Sequence, residues 1–262
     1  MIHWNRIKRV ALDFIFPNRC PYCGKIIGSK EKVCAPCLEI LPRIEKPTCK
    51  VCGRGVAFCR CHRSYAFDRC VAPFYYEGNA RNGLILFKFR GWLKNAVVFA
   101  EEMAQVVRRE YGNSSSDVIV YVPMTKHAVR KRGYNQSKLL AEELSKQLEI
   151  PILTDGLIKC KELNPQHMVG MRERWSNVMG AFCVENEELI CGKRVLLVDD
   201  VMTTGATLDQ CARMLKQAGA RSVRCAVFAS TSPQRLVKPI KVAYNIADAP
   251  VKRTAPVAQQ RG

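Results

Sequence analysis

From about residue 70 onward the apolar positions follow two periods in turn. Short, nearly continuous apolar runs alternate with stretches in which apolar residues recur every three or four positions. These are the marks of buried strands and of amphipathic helices. The runs at 70–78, 117–123, 193–200 and 222–230 read as strands, and the stretches at 80–92, 95–112, 135–150 and 207–220 as helices. In 135–150 the leucines 139, 140, 144 and 148 share a face. Gly91, Gly112 and Gly219 close helical patterns, and Pro123 ends a strand. Strands separated by helices of this length predict an α/β fold, a parallel sheet with helices on both faces. Ligands of such sheets bind at the carboxyl ends of the strands.

The flanking regions read differently. Ile2, Ile7, Val10, Ala11, Phe14 and Ile15 fall opposite Arg6, Lys8 and Arg9, which predicts an amphipathic helix over 1–18. Residues 19–69 follow neither period and are dense in cysteine. Residues 232–262 carry four prolines and many basic residues, the composition of a disordered tail. The expected division is a helix (1–18), a double zinc ribbon (19–69), an α/β domain (70–231) and a basic tail (232–262).

Eight of the 14 cysteines lie in the ribbon, in four pairs. Cys20/Cys23, Cys34/Cys37 and Cys49/Cys52 are spaced C-x-x-C, and Cys59/Cys61 is C-x-C. Two intervening residues let a tight turn aim both thiolates at one tetrahedral ion, and Gly24 and Gly53 follow their pairs as a zinc knuckle favours. Short loops favour local closure. Cys20, Cys23, Cys34 and Cys37 are therefore expected to hold one zinc, and Cys49, Cys52, Cys59 and Cys61 a second. A crossed pairing, and His62 in place of Cys61, stay open. Four protein ligands leave no position for substrate, so both ions read as structural. The cysteines at 70, 160, 183, 191, 211 and 225 read as small apolar filler.

With 48% apolar and 25% charged residues, the chain can build a real core. Its formal charge of +19 implies an anionic partner, nucleic acid or a polyphosphate. Basic residues interleave with the cysteines, which suits a nucleic-acid contact and a plain soluble surface equally. No apolar run approaches the roughly 18 residues of a spanning helix. The first twenty residues, interrupted by Asp13 and Pro17, do not read as a secretion signal. The expected location is cytoplasmic, with residues 1–18 packed on the chain or touching the inner face of a membrane.

The strand at 195–198 is apolar throughout, so it reads as central, and Asp199 and Asp200 emerge at its carboxyl end. Two adjacent carboxylates can accept hydrogen bonds from a vicinal diol. The loop that follows, Met202, Thr203, Thr204, Gly205, Ala206 and Thr207, offers backbone N–H groups, hydroxyls and a helix N-terminus, the parts of a phosphate cradle. A diol site directly before a phosphate site describes a ribose 5-phosphate.

"VLLVDDVMTTGAT" (195–207) resembles the phosphoribosyl-pyrophosphate (PRPP) signature of type I phosphoribosyltransferases at every position of the pattern. The resemblance implies the phosphoribosyltransferase-like form of the fold, the acids on the ribose hydroxyls, the loop on the 5-phosphate, and Mg²⁺ arriving with PRPP. A narrower likeness runs to about residue 230: the cysteine ribbon, "YYEG…LILFKFRG", "VPM…RKRGYNQS", "NPQHMVGMRERWSNVMGAF", then the PRPP motif. That order resembles the ComF (ComFC) family of competence-related, phosphoribosyltransferase-like proteins. It implies natural transformation, single-stranded DNA and the competence DNA-uptake machinery as setting and partners.

PRPP needs cations around its pyrophosphate. Lys126, Arg130 and Arg132 follow strand 117–123 on the same sheet edge as Asp199, and Lys88 to Arg90 end a helix. Residues 161–178 resemble the loop that closes over this kind of site, with Arg172 and Arg174 as pyrophosphate contacts and Gln166 as a substrate-orienting group. Trp175, His127 and His167 read as packing or surface residues. No residue is assigned a catalytic role. Besides the competence reading, a metabolic phosphoribosyltransferase and a non-catalytic PRPP sensor stay open, as do the acceptor and the oligomeric state.

Overall fold

In the computed structural model, residues 17–59, 61, 64–113, 116–159 and 181–232 are described. The predicted helix up to residue 16, His62, the loop 161–178 with Gln166, His167, Arg172, Arg174 and Trp175, and the tail from 233 lie outside them. The elements are α1 (Ala35–Ile40), β1 (Arg69–Val71), β2 (Phe74–Tyr75), α2 (Gly78–Phe89), α3 (Asn95–Tyr111), β3 (Val118–Tyr121), α4 (Lys126–Arg132), α5 (Gln136–Leu148), β4 (Ile158–Lys159), β5 (Phe182–Cys183), β6 (Arg194–Met202), α6 (Ala206–Gln217) and β7 (Ser222–Ser230).

The main sheet is parallel, in the order β1-β7-β6-β3. β2 continues the line of β1 along β7, with Cys70 opposite Cys225 and Phe74 opposite Ala229. The run predicted as one strand over 70–78 is thus two pieces. Pro73 has no N–H to give the ladder and interrupts it. β6 is central, and Val195 to Val198 are buried. Their side chains alternate between two cores. Leu196 and Val198 join residues of α2, α3 and α5 with Phe74 and Phe228. Val195 and Leu197 join Leu208, Cys211 and Leu215 of α6. Helices therefore cover both faces, as the pattern predicts.

The cysteine-rich segment shares those cores. Cys20, Tyr22 and Cys37 belong to the first, where the Tyr22 ring lies 5.5 Å from Phe99 and 6.0 Å from Phe74. Cys52 and Phe67 belong to the second. Between the two knuckles, Ile44 N–H donates to Pro73 O (2.9 Å) and Tyr75 N–H to Pro42 O (2.8 Å). The ribbon straddles the β1 edge and seals both faces.

Several details depart from the pattern. α6 ends with Ala218 as its cap, and Gly219 follows one position later. The β4–β5 pair and the parallel bridge of Ile152 on Ile119 were not foreseen, because such short pieces show no period. Cys70, Cys211 and Cys225 are buried filler as expected, whereas Cys191 is exposed and Cys183 is disulfide-bonded. Among the described residues no helix is long and apolar enough to cross a membrane.

Candidate functional site

β3 accompanies β6 only as far as Tyr121 opposite Val198. From Asp199 onward β6 has β7 as its ladder partner and presents its other edge at the carboxyl end of the sheet. β6 runs two residues past the predicted limit, so Asp199 and Asp200 lie within the strand. Each meets a different helix. Asp199 Oδ1 accepts from Ser137 Oγ at 2.7 Å and from its neighbour's backbone, Asp200 N–H, at 2.8 Å. Asp200 Oδ2 lies 2.6 Å from Lys88 Nζ on α2, both side chains being less than a fifth exposed.

The segment "RGYNQS" delivers Ser137. Gly133 closes α4, and the Tyr134 hydroxyl donates to Phe87 O, tying the turn to α2. Asn135 caps α5: its Oδ1 accepts from Ser137 N–H (2.9 Å) and Lys138 N–H (3.3 Å), while its Nδ2 donates to Val122 O (3.2 Å). That last bond fixes the start of α5 to the end of β3, which sets Ser137 beside Asp199. Asn135, Gln136 and Ser137 are all buried.

After Met202 the chain turns through Thr203, Thr204 and Gly205 into α6. Gly205 has φ +81, and a Cβ there would stand 2.9 Å from the Tyr65 ring, so the turn requires glycine. Ala206 N–H donates to Thr204 Oγ1 (3.3 Å). The N-terminus of α6 thus opens on the loop three residues beyond β6, the geometry in which backbone donors and helix dipole favour an anion.

Burial first, and then the charge of Asp200, push the Asp199 carboxyl up to about 7; Ser137, the Asp200 amide and Lys88 oppose the rise. In the unfolded chain this group titrates near 3.8. Between these values the folded state holds more protons, so the group's contribution to stability falls as pH rises from about 3.8 to about 7. Asp199→Asn is expected to remove that component, read as the difference between wild-type and variant thermal midpoints across this range. Because an ionised carboxylate accepts stronger hydrogen bonds from a diol than a neutral carboxyl does, ligand affinity is expected to rise through pH 7 in the wild type. An affinity flat from pH 6 to 8 would contradict this assignment.

The predicted cations are placed unequally. Arg132 Nη1 donates to Gln136 Oε1 (2.6 Å), next to Ser137, and its guanidinium lies 5.4 Å from the Phe89 ring. Lys126 and Arg130 are exposed on α4. Lys88 meets the acid pair itself, and Arg174 lies outside the described residues.

The eight ribbon cysteines form two groups, Cys20/Cys23/Cys34/Cys37 and Cys49/Cys52/Cys59/Cys61, each with its four sulfurs within 4.8 Å of one another. Pairing is therefore sequential rather than crossed, and Cys61 completes the second group. Cys23–Cys34 and Cys52–Cys59 are 3.7 Å apart, and Cys20–Cys34 3.6 Å. Four thiolates about 2.3 Å from a tetrahedral zinc stand about 3.8 Å apart, so the donor sets fit zinc.

Sequence reasoning missed Ser137, Arg54 and Tyr65. Arg54 Nη2 donates to Thr203 O (2.5 Å), and Tyr65 OH to Thr204 O (3.1 Å). Only folding brings these partners together, and nothing local in the sequence marks them.

Known protein families match both parts of the chain. The phosphoribosyl transferase domain matches residues 89–258, and the double zinc ribbon domain matches residues 11–71. Competence protein F of Haemophilus influenzae is 26% identical over 220 residues, covering 80% of this chain and 95% of that protein. Competence protein ComFC of Bacillus subtilis is 26% identical over 205 residues, 74% and 82% of the two chains. DNA utilization protein YhgH of Escherichia coli is 34% identical over 117 residues, 45% and 51%. A phosphoribosyltransferase domain implies a PRPP-type ligand. The chain belongs to the ComF/ComFC family of competence proteins, a phosphoribosyltransferase domain carrying an N-terminal double zinc ribbon.

Proposed function

We propose that this protein binds PRPP with Mg²⁺ at the carboxyl end of β6 and acts in natural transformation, where it handles incoming single-stranded DNA. The observation that carries the ligand is the direct succession of acid pair, glycine turn and helix N-terminus, held by Ser137, Lys88, Arg54 and Tyr65. Asp199 and Asp200 accept from the ribose hydroxyls. The backbone of Thr203 to Ala206 and the hydroxyls of Thr203, Thr204 and Thr207 take the 5-phosphate. Arg132 and Lys126 contact the pyrophosphate, Arg174 is assigned to it by resemblance alone, and the Mg²⁺ it carries offsets part of its charge. Zinc, held by the two cysteine groups, is structural.

The competence names of two relatives and the "DNA utilization" name of a third support the biological setting, and the formal charge of +19 supports a polyanionic partner. A cytoplasmic location follows from that role. The test is fluorescence anisotropy of a labelled single-stranded oligonucleotide, with and without PRPP. Binding at about 50 mM salt that weakens steeply by about 200 mM is expected, since each phosphate contact formed releases counterions and steepens the salt dependence. No binding at the lower salt contradicts the DNA part of the reading. A change in DNA affinity on adding PRPP identifies the site as one that reports to the DNA surface.

A further inference from the structure

Arg54 is a cation in an unusual place. It follows Cys52 by two positions in the second knuckle, yet only 8% of it is exposed. Among the described residues it forms no ion pair with a carboxylate, and its Nε is buried without a hydrogen-bond partner. Its Nη2 reaches across to Thr203 O (2.5 Å) and, more distantly, Met202 O (3.4 Å). Tyr65, from the end of the same ribbon, donates to the next carbonyl, Thr204 O (3.1 Å), and its ring packs on Gly205. A buried guanidinium bonded to neutral carbonyls is expensive unless negative charge stands near it; the Cys52 thiolate supplies some from the ribbon side, and an anion at the loop would supply more.

The direction of these bonds matters. In a trans peptide the C=O and the following N–H point opposite ways. Holding the carbonyls of Met202, Thr203 and Thr204 toward the ribbon turns the N–H groups of Thr203, Thr204 and Gly205 away from it. Ser230 Oγ and Thr231 N–H hold Met202 O (3.3 and 3.0 Å), and Thr231 Oγ1 holds Thr203 O (3.2 Å), from the end of β7. The knuckle is itself fixed to the sheet. Cys70 N–H donates to Val51 O (2.8 Å), and Gly53, at φ +70, leaves room for Cys70 O, which a Cβ would meet at 2.3 Å.

We propose that Arg54 and Tyr65 are positioning residues of the phosphate loop. The second knuckle aims a buried cation and a hydroxyl at the back of the loop, so that its amides face the ligand and its field favours a dianionic 5-phosphate. This rests on the PRPP reading above, and it makes the ribbon part of the ligand site rather than a separate device.

The experiment titrates PRPP with Mg²⁺ into the full, zinc-loaded chain, comparing wild type, Arg54→Met, Arg54→Lys, Tyr65→Phe and, as a stability control, Val107→Ala in α3. Arg54→Met is expected to weaken PRPP about 10–100-fold, Arg54→Lys to recover part of the loss, and Tyr65→Phe to weaken it about 3–10-fold. Val107→Ala should lower the melting temperature and leave affinity within about twofold. The ³¹P signal of the bound 5-phosphate should shift in Tyr65→Phe while the pyrophosphate signals hold. Unchanged affinity in Tyr65→Phe, or in an Arg54→Met protein that keeps its zinc, overturns the proposal. Should Arg54→Met fail to fold, Tyr65→Phe decides alone. A wild type that does not bind PRPP overturns the underlying reading instead.

Discussion

Exhaustive removal of zinc is expected to abolish the cooperative thermal transition of the whole chain, not merely to loosen an appended ribbon. The reason is shared cores. Cys20, Tyr22 and Cys37 pack with Phe74, Phe99 and Phe228 on one face of the sheet, and Cys52 packs with Phe67 and Leu197 on the other. A structural zinc contributes about 10–16 kcal/mol of apparent binding free energy at pH 7. A whole domain is stable by only about 5–15 kcal/mol. Loss of either ion is therefore comparable with the total. Without metal, burial pushes the Cys23 and Cys52 thiols up to about 11, while at Cys20 and Cys49 burial is outweighed by backbone N–H donors that hold the thiols below their ordinary value. Metal analysis should give two zincs per folded chain, and Cys23→Ser or Cys52→Ser should each lower that number toward one. Calorimetric melting after chelation is the direct reading; an intact transition contradicts the shared-core account.

The second large effect is on ligand affinity. Asp199→Asn/Asp200→Asn is expected to weaken PRPP by at least about 100-fold. Each hydrogen bond to a charged acceptor contributes about 1.5–3 kcal/mol, and two ribose hydroxyls lose theirs. The substitution also strands Lys88, whose ammonium lies 2.6 Å from Asp200 with both side chains largely buried. Leaving one partner of such a pair is destabilising by several kcal/mol. Adding Lys88→Met should restore the melting temperature but not the affinity. If it restores both, the acids act on stability alone.

The sequence is most legible where the physics is local. The C-x-x-C spacings specify which sulfurs can share an ion, because a tight turn brings them together whatever the rest of the chain does. The run 195–207 carries strand, acids, glycine turn and helix start in thirteen residues, and the structure keeps that order. What stayed hidden is the convergence of distant segments. Lys88 reaches Asp200, Ser137 reaches Asp199, and Arg54 and Tyr65 reach Thr203 and Thr204 across more than 130 residues. Nothing in a basic residue beside a zinc knuckle distinguishes a surface charge from a buried one such as Arg54. "RGYNQ" was legible only as a resemblance. Its work, anchoring Tyr134 on α2 and capping α5 with Asn135, depends on neighbours that only the fold supplies. The strand over 70–78 split because Pro73 forbids a ladder bond, a signal present in the sequence and outweighed there by the apolar run.

The central claim, that the carboxyl end of β6 is a PRPP site, is tested most directly by isothermal titration of PRPP and Mg²⁺ into the folded chain carrying two zincs. Saturable binding of one PRPP per chain, competed by ribose 5-phosphate and lost in Asp199→Asn/Asp200→Asn, is the predicted result. No saturable binding at millimolar PRPP, in protein shown by melting to be folded, would contradict it.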